Sequence, residues 1–140
     1  MEKTKIVIDT NVILSGLLSN QGNSFKILQK IADTIFEVAI SVPLILEYEA
    51  ILKKQLNRTI FSDDDINDFI NFICKIGAPT KIFYLWRPIL NDPYDDHILE
   101  VAVASQSQYI VTFNKKDFKE IQKFGIIALS PKEYLQVIGG

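Results

Sequence analysis

Four stretches of this chain place oxygen-bearing side chains where structure alone gives them little reason to be. Asp9 directly follows the apolar run Ile6-Val7-Ile8. Such a run suits a strand covered on both faces, which leaves a carboxylate at its end partly buried. A lone buried charge is costly and has to be paired, protonated or bound to a cation. The plainer alternative is a cap on the helix that begins at Asn11. Asp95 projects on the same helical face as Ile98, Leu99 and Ala102, the stripe that must face a sheet. Asp96 lies about 100° round that helix, at the margin of the stripe, and His97 faces further out. First-turn placement against the helix dipole explains Asp92 and Asp96 well and Asp95 less well. Glu47 and Glu49 sit on the two edges of another apolar stripe. Spacing does not choose between them, and a solvated edge is the ordinary role of a helical Glu. Asn114 and Asp117 follow a strand that ends in Thr112, where a turn and a helix cap would also account for them.

Three acids and an amide brought together without cations would repel and raise one another's pKa. A hard divalent cation relieves that repulsion, and oxygen ligands are what Mg²⁺ and Mn²⁺ prefer. A metal in a carboxylate pocket polarises a phosphoryl oxygen and activates water, and two metals can clamp an in-line displacement. The chemistry these residues imply is metal-dependent phosphodiester hydrolysis.

The elements that would position them alternate. Lys5 to Asp9 reads as a strand, followed by helical spacing over Asn11 to Leu18 and Ser24 to Ala32. Phe36 to Ile40 is a second strand. Leu44, Ile45, Tyr48, Ile51, Leu52 and Leu56 form a helical stripe behind Pro43, a residue suited to a first turn. Ser62, with Asp65 three residues on, opens a helix carrying Ile66, Phe69, Ile70 and Ile73, which Gly77 and Pro79 end. Lys81 to Leu85 is a third strand candidate. A helix starts at Asn91-Asp92-Pro93, a fourth strand spans Tyr109 to Thr112, and a short helix begins at Lys116. Ile126 to Leu129 is a fifth strand, and a last helix starts at Pro131. This order predicts one domain over residues 1–140: a three-layer α/β/α sandwich with a mostly parallel sheet of about five strands. Ligands of such sheets bind beyond the carboxyl ends of the strands.

Composition removes other classes. An apolar fraction of 48% and a charged fraction of 23% are ordinary for a globular chain, which excludes disorder. One cysteine, Cys74, cannot make an intrachain disulfide, and one Cys with one His cannot build a structural zinc site. A net charge of −2 is not that of a globally basic nucleic-acid binder, although an acidic site can offset a local basic patch. The most apolar stretch, Val38 to Leu46, is broken by Ser41 and Pro43 and is too short to span a membrane. The run after the first lysines meets Asp9 too soon for a signal peptide, so the expected location is cytoplasmic.

At these same residues the sequence resembles the PIN-domain family, and within it the VapC-like toxin ribonucleases of bacterial and archaeal toxin–antitoxin systems. Ile6-Val7-Ile8-Asp9-Thr10-Asn11 looks like the family's first motif, Leu44-Ile45-Leu46-Glu47-Tyr48 like its second, and Asn91 through Leu99 with Ala102 like its third. Tyr109 through Asn114, on to Asp117-Phe118, resembles the fourth. The resemblance implies Asp9, Glu47 and Asp95 as metal-binding and catalytic acids, and so prefers Glu47 to Glu49. Many members carry an Asp where this chain has Asn114. The resemblance therefore leaves the fourth metal ligand open between Asp117, as a metal-binding and catalytic acid, and Asn114, which coordinates through its carbonyl or positions water. Asn11, Asp96 and Thr112 are supporting candidates. It further implies Mg²⁺ or Mn²⁺, an RNA substrate, a protein antitoxin and a homodimer.

Lys115, Lys116 and Lys119, with Lys123, could track a phosphate backbone or form the solvated face of a surface helix. Lys53, Lys54 and Arg58 could form a second patch, and Trp86 with Arg87 could stack on an unpaired base. Two rival phosphoryl-transfer domains fit poorly. A haloacid-dehalogenase-like phosphatase wants an Asp at position 11, where this chain has Asn11. A receiver-type domain wants its acid pair early, and the pair here, Asp95 and Asp96, comes late. A catalytically silent PIN-like module that only binds RNA or protein is kept open by Asn114, while Asp9, Glu47 and Asp95 together argue against it. A housekeeping RNA-processing nuclease would read almost the same.

Overall fold

The computed structural model describes residues 3–81 and 93–139, and for residues 93–96, 119, 120 and 123 the backbone alone. The chain runs β1 (Thr4–Ile8), α1 (Thr10–Leu18), α2 (Asn23–Ala32), β2 (Phe36–Ile40), α3 (Val42–Gln55), α4 (Asp63–Ile76) and β3 (Ala78–Pro79). It continues with α5 (Pro93–Ser105), β4 (Tyr109–Val111), a 3₁₀ segment (Lys115–Phe124), β5 (Ile127–Leu129) and α6 (Pro131–Val137). The strands form one five-stranded sheet in the order β3-β2-β1-β4-β5. Each neighbouring pair is parallel. The result is the expected three-layer α/β sandwich.

β1 lies at the centre, which is why Ile6, Val7 and Ile8 are apolar without alternation: all three are fully buried. Its register places Ile6 beside Val38 of β2 and beside Tyr109 of β4. From β1 the chain builds outward to β2 and β3; β4 and β5 lie on the other side. The carboxyl ends of β1 and β4 therefore flank the point where strand order reverses, the crevice in which open α/β sheets bind ligands.

Local chemistry sets the helix starts. Ser41 caps α3 by accepting from the Leu44 N–H at 3.2 Å, with Pro43 in the first turn. Ser62 and Asp65 form a reciprocal capping box on α4, at 3.1 and 2.9 Å. Ser130 and Glu133 do the same for α6. Gly16 lets α1 lie close on α2, because a Cβ there would overlap Leu28.

A short strand that the sequence did not single out pairs with β2 at Ala78 and Pro79, opposite Ala39 and Ile40, while the expected strand from Lys81 to Leu85 lies, beyond Lys81, outside the described residues. A proline is tolerated here because β3 is the edge strand of the sheet among the described residues. Residues 82–85 lie outside the described residues, as do Trp86, Arg87, Asn91 and Asp92. No described helix is long and apolar enough to cross a membrane.

Candidate active site

Asp9 leaves β1 at its carboxyl end and serves as the N-cap position of α1. Its side chain closes no capping hydrogen bond of full geometry among the described residues. Instead Asp9 Oδ2 accepts from the Thr112 hydroxyl at 2.7 Å, across the gap between β1 and β4. Asp9 is buried, keeping 7% of its surface, and Thr112 is fully buried. Burial pushes the Asp9 carboxyl above its ordinary range. The Thr112 hydroxyl and the backbone N–H groups of Thr10 and Asn11 oppose that rise, and the charge of Asp117 adds to it.

Glu47 reaches the same place from α3, where its carboxylate accepts from the Thr10 hydroxyl. Glu49 turns instead to Lys53, at 3.8 Å, in a surface pair along the helix. The next residue, Tyr48, is wholly buried, and its hydroxyl donates to the Ile8 carbonyl, one residue before Asp9. Its phenol pKa is driven well up, first by burial and then by the charges of Asp9 and Glu47.

Beyond β4 the chain turns at Asn114, whose N–H donates to Thr112 Oγ1 at 3.0 Å. The Asp117 N–H donates to the Asn114 carbonyl at 3.0 Å, which folds the start of the 3₁₀ segment back towards the sheet. Asp9, Asn11, Glu47, Asn114 and Asp117 line one cleft of about 550 Å³ with Thr10, His97 and Ile98. The cleft opens at the strand ends, where the sheet topology places it.

α5 supplies the rest. Ile98, Leu99 and Ala102 are buried, as the stripe requires. Asp95 and Asp96 lie in the first turn of this helix, and their side chains are outside the described residues. His97, which helical spacing turned outward, lines the cleft, and its buried Nδ1 has no hydrogen-bond partner among the described residues. Thr10, Tyr48 and His97 were the residues that sequence reasoning passed over. A hydroxyl beside a buried acid was the only signal for Thr10, and Tyr48 read as one more member of an apolar stripe.

The donors suit a hard cation. Asp9, Glu47, Asp117, Asn11 and Asn114 offer only oxygen from carboxylates and amides, and the buried Asp9 carboxylate lacks a compensating cation among described residues. The set is not closed by itself: among the described residues no three His, Cys, Asp or Glu side chains converge tightly enough to hold an ion.

The basic candidates are partly engaged. Lys115 pairs with Glu133 at 2.7 Å, and Lys116 is exposed. The side chains of Lys119 and Lys123 are outside the described residues. Arg58 of the second patch is taken up by Asp63 and by the Phe61 carbonyl.

A family model described as a PIN domain matches residues 5–116, most of the chain, and the chain belongs to the PIN-domain family. PIN domains are in general nucleases. The fold is similar to that of a chain in the crystal structure of VapBC2 from Rickettsia felis bound to a DNA fragment from their promoter. That similarity has a TM-score of 0.62 at 17% identity and covers 91% of this chain and 98% of that one. No curated protein sequence matches significantly.

Proposed function

We propose that this protein is a metal-dependent endoribonuclease, the toxin of a toxin–antitoxin pair. The observation that carries the reading is the gathering of Asp9, Glu47, Asn114 and Asp117 in one cleft at the strand-order reversal. With Asp95 from the start of α5, these residues would hold a Mg²⁺ or Mn²⁺ ion, which would supply a Lewis acid for the phosphoryl group and an activated water.

The chain's own residues do the positioning. Thr112 fixes the Asp9 carboxylate, Thr10 fixes that of Glu47, and Tyr48 ties α3 to the end of β1. Asp9 and Glu47 are thereby held at a set separation before any ligand arrives, which is the pre-organisation that phosphoryl transfer needs. Asn114 offers a carbonyl oxygen where a fourth carboxylate would add charge, and Asp117 supplies that charge one turn on. Lys116, with Lys119, meets the RNA backbone. The fold shared with a chain of a VapBC complex supports a protein antitoxin as partner; a homodimeric toxin in the cytoplasm belongs to the same proposal.

The test is cleavage of a labelled single-stranded RNA by purified protein. Cutting in Mn²⁺ or Mg²⁺ that stops in EDTA and returns on metal addition supports the reading. RNA bound but uncut in metal, with no antitoxin present, supports the silent binding module that Asn114 would favour.

A further inference from the structure

One wall of the cleft is apolar. α3 lines it with Pro43, Leu46, Ala50 and Ile51 as well as Glu47. Helix residues three and four apart are neighbours at about 5–6 Å, so Pro43, Ala50 and Ile51 surround Glu47 on the helix surface. Pro43, Leu46 and Ala50 are exposed, and Leu46 keeps 59% of its surface. This is not overflow from the core. The face that α3 turns inward, Leu44, Tyr48 and Leu52, is fully buried and complete without them. An aliphatic shelf therefore stands open to water beside a carboxylate floor.

We infer that this shelf holds the face of a nucleobase adjoining the bond that is cut. The inference rests on the nuclease reading and adds a base subsite to it. A nucleotide joins a charged phosphate to a flat ring through one sugar. A cleft that takes both needs an oxygen-donor pole and an apolar surface within one nucleotide's reach, and the ring of shelf residues around Glu47 provides that. The shelf lines the same cleft as Asp9, Glu47, Asn114 and Asp117, which favours the substrate of that cleft as its occupant over a protein partner. None of Pro43, Leu46, Ala50 and Ile51 has a side-chain donor or acceptor, so the shelf meets a base by its face and not its edge. It gives affinity and register without choosing among the four bases.

Leu46 is exposed, so Leu46→Ser tests the shelf without threatening the fold. With the cut bond mapped in wild type, Leu46→Ser raises KM about five- to twentyfold at unchanged kcat, the pattern of lost uniform binding to a stacked base. An RNA with an abasic nucleotide beside the cut bond loses the same factor with wild type. Leu46→Ser loses nothing more on that abasic RNA, because the two changes remove one contact. Leu46→Met restores wild-type KM. Normal KM for Leu46→Ser, or losses that multiply on the abasic RNA, overturns the shelf while leaving metal-dependent cutting intact. Absence of any cutting by wild type counts against the nuclease reading instead. The shelf is then read by anisotropy in Ca²⁺, with a labelled adenine decamer against one carrying abasic positions. Weaker binding of the abasic strand by wild type but not by Leu46→Ser supports it, and equal binding by wild type overturns it.

Discussion

Thr112 Oγ1 donates to Asp9 Oδ2 at 2.7 Å while accepting from the Asn114 N–H at 3.0 Å. One buried hydroxyl thus joins the ends of two neighbouring strands and passes the position of Asp9 on to the loop that carries Asn114 and Asp117. The bond also opposes the rise in the Asp9 carboxyl pKa that burial causes. A site made this way is set by the sheet and not by the loops above it.

Asp9→Asn separates function from stability. Burial makes the folded state hold the Asp9 proton more tightly than the unfolded state does. Without metal, the stability contributed by Asp9 therefore falls as pH rises from the ordinary value of 3.8 through the raised one. Asp9→Asn abolishes cleavage, raises Tm in EDTA at pH 7 by about 2–4 °C, the scale of about 1 kcal/mol, and flattens this pH dependence. Thermal scans in EDTA between pH 4 and 7 check it. A lower Tm for the variant at pH 7 contradicts it.

Tyr48→Phe keeps the buried ring and removes only the hydroxyl that binds the Ile8 carbonyl. The lost bond costs about 1 kcal/mol of stability in urea titration, since the carbonyl stays buried. The looser link between α3 and β1 also lowers kcat, by about tenfold, because positioning beside a reacting group is sensitive to small displacements. Equal kcat at reduced stability would make Tyr48 a packing residue alone.

Glu133 titrates at about 2, held down first by its hydrogen bond to Lys115 and then by Ser130. The stabilisation from this lowered value is present above the ordinary 4.5 and is lost as pH falls from there towards 2. In Lys115→Ala the midpoint, followed by NMR of the carboxyl carbon, rises but stays below 4.5 because Ser130 still donates. An unmoved midpoint contradicts the pairing.

Lys115→Ala combined with Lys116→Ala flattens the dependence of RNA affinity on salt. Each phosphate contact removed lowers the slope of log affinity against log salt by about 0.7 for a single strand. Because Lys115 is shared with Glu133, Lys116→Ala alone carries most of the change. An unchanged slope removes both residues from the RNA path.

Much of this was legible in the residues. The all-apolar Ile6-Val7-Ile8 announced a central strand, and Ser62 with Asp65 announced the start of α4, because both signals are local. Glu47 was separable from Glu49 only by resemblance. The structure separates them by partners, Thr10 for one and Lys53 for the other. The short pairing at Ala78 and Pro79 went unseen because Gly77 and Pro79 read as breakers, and only its place at the edge of the described sheet makes Pro79 acceptable. His97 was turned outward by helical spacing, which knows the face towards the sheet but not the wall that α3 adds at the strand ends. Tyr48 was hidden for the opposite reason: a buried tyrosine and a buried leucine read alike until its hydroxyl finds the Ile8 carbonyl.

If carboxylates from β1, α3 and α5 hold a divalent centre that hydrolyses RNA, as proposed, cleavage depends on Asp95. Single-turnover cleavage of a labelled single-stranded RNA in saturating Mn²⁺, wild type against Asp95→Asn, tests it most directly. The account predicts that the variant folds and binds RNA as wild type does but cuts at least about a hundredfold more slowly, the scale of losing one preorganised charge at the reacting group. Cutting by Asp95→Asn at the wild-type rate would contradict it.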